Sequence, residues 1–176
     1  MRPPHLALIL LAAVPALCQT ANPLSNETRA TYTIVKTNLI KMAERMPAEN
    51  YTFRPVPEVE TFGRRLAHIA GANFRSCAGL KGEQKALGAS QETSKDDLVA
   101  ALKESFAYCD SVFETMTDAL AFQMENGRIG SPPSPAGEMR TRISLLFSVL
   151  RHSNEMYGYM SVYLRLKRVV PPSTEP

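Results

Sequence analysis

Apolar residues recur every three or four positions over most of this chain, which is the period of an amphipathic α-helix. The most regular stripe follows Ser94, where Ser-Lys-Asp-Asp is typical of a capping box that opens a helix. Asn126-Gly127 is expected to end this helix, and residues 130–135 contain too much proline to continue it. The stripe consists of Leu98, Leu102, Phe106, Cys109, Phe113, Met116, Leu120 and Met124.

The same periodicity predicts three further helices. The first runs from about Leu24 to Met46, the second follows the N-cap Thr61 and runs to about Gly79, and the last runs from about Glu138 to Arg168. Their inward stripes are Ile34, Leu39, Ile40, Ala43 and Met46 in the first, Phe62, Leu66, Ile69, Ala70, Asn73 and Cys77 in the second, and Leu145, Val149, His152, Met156, Met160 and Tyr163 in the last.

Four such helices without a convincing alternating strand predict an all-α protein, a four-helix bundle formed by one domain over residues 19–176. The polar connection between the second and third helices, residues 81–93, is long enough for a crossover. Simple up-and-down topology is therefore not required.

The first eighteen residues are expected to be a signal peptide. Arg2 gives a basic start, residues 6–17 are an apolar run, and Ala16-Leu17-Cys18 resembles a cleavage site. The protein is then secreted or periplasmic, and whether Cys18 is cleaved off or lipidated stays open. No later stretch reaches eighteen uninterrupted apolar residues, so no transmembrane segment is predicted.

The charges argue against nucleic-acid binding, and the cysteines predict a covalent bond. The chain has 20 basic and 17 acidic side chains, and loss of residues 1–18 removes only Arg2, which leaves a net charge of +2. These scattered charges provide no footprint for nucleic acid. In an exported chain, Cys77 and Cys109 on inward stripes of consecutive helices predict a disulfide.

The last predicted helix carries half of a metal-binding pattern. His152 lies on its inward stripe, and the residue one turn later, where a His-x-x-x-His pair would place a second ligand, is Met156. On the second helix, His68 falls on the side of Arg64 and Arg75, away from the main stripe, which is typical of a surface histidine.

Several short motifs together resemble the DinB-like superfamily, and the resemblance extends over essentially the whole chain after residue 18. The motifs are Phe53-Arg54-Pro55, Thr61-Phe62-Gly63, Leu66-Ala67-His68-Ile69-Ala70, His152-Ser153-Asn154-Glu155 with Tyr157-Gly158, Tyr163-Leu164-Arg165-Leu166-Lys167 and Pro171-Pro172-Ser173. The resemblance implies a four-helix bundle that holds nickel or zinc with three histidines, one from the second helix and two from the fourth.

Residue by residue, the resemblance implies that His68, His152 and Met156 occupy the three ligand positions. Met156 departs from the pattern, because a thioether suits Cu(I) better than it suits zinc or nickel. One hypothesis is therefore an exported divalent-metal protein with a degenerate triad, acting on a small molecule as a metal-dependent transferase or hydrolase. The alternative is a metal-free binding or structural bundle. A secreted helical signalling protein is a weaker third hypothesis, and a homodimer is compatible with all of them.

Overall fold

The structure, a computed structural model, describes residues 21–126 and 138–175. Within these residues it confirms an all-α bundle with four long helices. The helices are α1 (Pro23–Arg45), α2 (Phe62–Leu80), α3 (Lys95–Glu114), the short α4 (Asp118–Ala121) and α5 (Arg142–Leu166). None of these helices is both long and apolar enough to cross a membrane. The proposed signal peptide and the proline-rich loop 130–135 lie outside the described residues.

Side-chain caps fix where α2 and α3 begin, as the sequence predicts. The hydroxyl of Thr61 accepts a hydrogen bond from the backbone N–H of Arg64 at 3.3 Å. The hydroxyl of Ser94 accepts one from the N–H of Asp97 at 3.2 Å and donates to the Asp97 carboxylate. Each cap satisfies a backbone donor that the first helical turn leaves without a partner.

The four long helices do not follow one another around the bundle. The helices α1 and α2 each pack against both α3 and α5, so α1 and α2 lie on one diagonal of the bundle. The α1–α2 connection and the α3–α5 connection therefore each join helices at opposite corners of the bundle. The connection that follows α2 joins two neighbouring helices and lies beside α2 through a short 3-10 helix, Ala89–Gln91.

The predicted extension of the third helix to Met124 is wrong, because α3 ends at Glu114. Thr117 interrupts the helix by capping the next one, accepting a hydrogen bond from the N–H of Leu120 at 3.2 Å. The Asp118 carboxylate then accepts hydrogen bonds from the backbone N–H groups of Leu24 and Ser25. The break thus supplies a cap for the N-terminus of α1.

Two more sequence expectations need correction. The chain contains a short antiparallel pair, β1 (Met124–Asn126) and β2 (Met139–Thr141), where no strand was predicted, so the last helix begins at Arg142 rather than near Glu138. Ile34 was expected in the core, but it is 61% exposed because α1 turns Tyr32 and Val35 inward instead.

The predicted disulfide between Cys77 of α2 and Cys109 of α3 is present, with the two Cα atoms 5.3 Å apart. Both residues are fully buried, so the bond lies inside the α2–α3 contact. It fixes the relative position of two helices that already share the apolar core.

We expect the double variant Cys77→Ala/Cys109→Ala to lose about 3–4 kcal/mol of unfolding free energy, because the disulfide closes a loop in the unfolded chain. Urea unfolding without reductant measures the loss, and reduced wild-type protein should match the variant. Thiol titration of unfolded, unreduced wild-type protein provides the control. Two free thiols per chain would contradict the bond.

Leu102→Ala and Phe113→Ala should each lower the unfolding free energy by about 2–5 kcal/mol, since each leaves a cavity in a closely packed interior. Leu102 is fully buried and Phe113 is 1% exposed. Ile34→Ala is the matched control, because an exposed residue leaves no cavity. Unchanged urea midpoints for both core variants would contradict the position of α3.

Candidate functional site

Two histidines meet at the edge of the groove between α2 and α5. Nε2 of His68 lies 2.9 Å from Nε2 of His152, and the two ring planes are inclined by 59°. His68 is exposed, whereas His152 is half-buried. The helical wheel places His68 correctly on the surface side of α2, and from there its side chain still reaches His152 of α5.

A buried polar contact holds α2 and α5 together beside the histidines. The hydroxyl of Ser153 donates to Oδ1 of Asn73 at 3.0 Å, and both residues are only 1% exposed. Ser153 is next to His152 in the chain, so this contact fixes the position of His152 along the axis of α2. A hydrogen bond between two buried side chains is costly to break, because either group would be left without a partner.

Burial favours the neutral form of both imidazoles. It is the main cause that lowers the pKa of His68, with the guanidinium groups of Arg75 and Arg65 adding to the effect and Glu60 opposing it. Burial also lowers the pKa of His152, followed by the effects of His68 and of nearby arginines, against Glu155. At neutral pH both rings therefore offer lone pairs.

Met156, the third residue that the family resemblance implies, has a cationic neighbour. Its side chain is 6% exposed, and its Sδ lies 3.9 Å from Nη1 of Arg65 on α2. The same guanidinium lies 5.6 Å from the ring centre of Tyr159. The structure therefore brings His68 and His152 together. It places Met156 one turn further along α5, in contact with Arg65.

The donors fit a divalent metal only in part. Two nitrogens bound to one zinc at about 2.0–2.1 Å and a tetrahedral angle lie roughly 3.3 Å apart, close to the separation of His68 and His152. Among the described residues, however, no three His, Cys, Asp or Glu side chains are grouped to hold a metal. Neither imidazole has a second hydrogen-bond partner there that would fix its orientation.

A cleft of about 370 Å³ adjoins His68 on the outer side of α2. It has three arginines and one carboxylate, and we call it the arginine cleft. Its lining residues are Glu60, Arg64, Arg65, Ala67, His68, Gly71, Arg75, Leu87 and Ser90. Sequence reasoning used Arg64 and Arg75 only as markers of a polar helix face. The signal it missed is their spacing, since residues 64, 68, 71 and 75 fall on one face of α2.

Comparisons with known proteins agree with the fold. A family model described as "DinB superfamily" matches residues 31–160. A DinB-like protein from Bacillus cereus ATCC 10987 superposes with a TM-score of 0.66 at 18% identity, over 85% of this chain and 97% of that one.

A DinB-like protein from Bacillus subtilis gives a TM-score of 0.61 at 18% identity, over 81% of this chain and 92% of that one. A conserved protein from Enterococcus faecalis gives 0.54 at 13% identity, over 81% and 98% of the two chains. No curated protein matches. Because the family model spans most of the sequence and the fold agrees with it, the chain belongs to the DinB superfamily.

Proposed function

We infer that this protein binds a divalent transition metal, zinc or nickel, between Nε2 of His68 and Nε2 of His152. The observation that supports this most directly is the 2.9 Å approach of the two nitrogens from separate helices. Both rings are held towards their neutral form, which is the form that binds metals. If the two rings moved apart by less than one ångström, their Nε2 atoms would have the spacing that a tetrahedral metal requires.

The third family ligand is replaced by Met156 in this proposal, so the wild-type site is weak. A thioether is a poor ligand for zinc, and Nη1 of Arg65 places positive charge beside it. With only two protein ligands, a bound metal would keep coordination positions available for a small molecule, which could approach it from the side on which His68 is exposed. A metal held there would act as a Lewis acid on a carbonyl or phosphoryl oxygen, as a transferase or hydrolase requires.

Export is part of the proposal. The apolar segment of residues 6–17 suits a signal peptide, and the Cys77–Cys109 disulfide suits an oxidising compartment. A secreted or periplasmic location would also expose the open groove to extracellular zinc or nickel.

The second candidate function is a metal-free binding bundle, and one contact favours it. Arg65 contacts Met156 and lies over the ring of Tyr159 where the third ligand is expected, and its charge repels a cation near His68. In this case the two imidazoles hydrogen-bond to each other, and the groove binds an organic ligand directly.

The variant Met156→His should bind zinc about tenfold or more tightly than wild type, because it adds a third imidazole one turn from His152. Metal binding to the folded state alone should then raise the melting temperature. Calorimetric titration of metal-stripped protein without a histidine tag measures the affinity. Met156→Leu is the matched control, since it removes the sulfur at similar volume and adds no nitrogen.

The variant His68→Ala in the Met156→His background should abolish the gain. If Met156→His binds zinc no more tightly than wild type, the three positions do not converge on one metal. If Met156→Leu gains as much as Met156→His, the effect comes from loss of the thioether and the three-nitrogen site is wrong.

The variant Arg65→Gln, with His68 and His152 unchanged, should bind zinc severalfold more tightly than wild type. The reason is that it removes a positive charge, which repels the cation, from the neighbourhood of His68. The same calorimetric titration measures this change. A fall in zinc affinity would contradict the repulsion that we assign to Arg65. Arg168→Gln is the control, because that exposed arginine lies beyond the C-terminal end of α5.

A further inference from the structure

The arginine cleft has more positive charge than its one carboxylate can balance. Glu60 approaches Arg64 alone, at 4.0 Å, and Nη1 of Arg64 also donates to the backbone carbonyl of Ser90 at 3.0 Å. Arg64 therefore attaches the α2–α3 connection to α2 and forms one wall of the cleft. Its positive charge is partly compensated by Glu60.

The other two arginines have no carboxylate partner among the described residues. Arg65 contacts a sulfur atom and an aromatic ring, and its Nε is a buried donor without a hydrogen-bond acceptor. The guanidinium of Arg75 makes no hydrogen bond or ion pair with any residue that the structure describes. Both arginines line the cleft, and no carboxylate of the described residues pairs with either of them.

The position of Arg75 depends on a glycine. A Cβ atom on Gly71 would lie 3.2 Å from Nη1 of Arg75, so the guanidinium lies back along the helix over residue 71. It thereby approaches His68, which is one turn before Gly71 and lines the same cleft. The absence of a side chain at residue 71 opens the floor of the cleft beneath this cation.

We propose that the arginine cleft binds the oxyanion group, carboxylate or phosphate, of a small organic molecule between Arg65 and Arg75. Guanidinium groups match both oxyanions with paired N–H donors, and such charge-assisted hydrogen bonds are stronger than neutral ones. His68 contributes a neutral ring at the inner edge of the cleft, and Ala67 and Leu87 provide apolar contact for the rest of the ligand. Anion binding here needs no metal.

Calorimetric titration of metal-stripped protein with sodium phosphate and with sodium succinate tests the proposal, in Tris chloride at constant ionic strength. Either anion should bind saturably, and the tighter one identifies the oxyanion class. Arg75→Gln should weaken binding by about tenfold, the value of one hydrogen bond to a charged group. Arg65→Gln should weaken it similarly, and Arg168→Gln should leave it unchanged.

The proposal is overturned if neither anion binds, or if Arg75→Gln binds as tightly as wild type. A second measurement needs no variant. On addition of phosphate, the Nε–H resonances of Arg65 and Arg75 should shift, and that of Arg168 should not. Equal shifts of all three would indicate general charge screening and would also overturn the proposal. Because the protein is metal-free in both experiments, their failure would leave the metal proposal standing.

Discussion

The site depends on how α2 is held between two neighbours. Cys77 bonds α2 to α3, and Asn73, one turn earlier on the same face of α2, accepts the hydrogen bond of Ser153 from α5. Both contacts are buried and lie within about one turn of each other along α2. They restrict sliding and rotation of the helix, so the residues on its remaining face keep a defined position relative to α5. His68 is on that face.

The two proposed binding sites, for a metal and for an anion, are adjacent and meet at His68. His68 faces His152 across the groove and also lines the arginine cleft. One exposed side chain therefore belongs to both sites. Its neutral form is favoured by burial and by the same arginines that we expect to attract an anion, since a protonated ring would add a further positive charge.

The sequence was sufficient for the fold class, the caps at Thr61 and Ser94, and the disulfide, because these follow from local periodicity and from cysteines on inward stripes. It failed where distant contacts override local pattern. Leu120 and Met124 continue the stripe of α3, yet the helix ends earlier because Asp118 caps α1. The contact of His68 with His152 was equally hidden, since a helical wheel gives the face of a residue but not the openness of a groove.

Arg65 shows how the two ligands would influence each other. Its positive charge opposes a cation between the histidines and favours an anion in the adjoining cleft, so it acts in opposite directions on the two equilibria. An anion bound beside it would lower the positive potential at His68 and thereby raise metal affinity. By linkage, the metal must raise anion affinity by the same factor. A site that is weak for either ligand alone would then favour the two together, which is the arrangement needed for a metal to act on an anionic substrate.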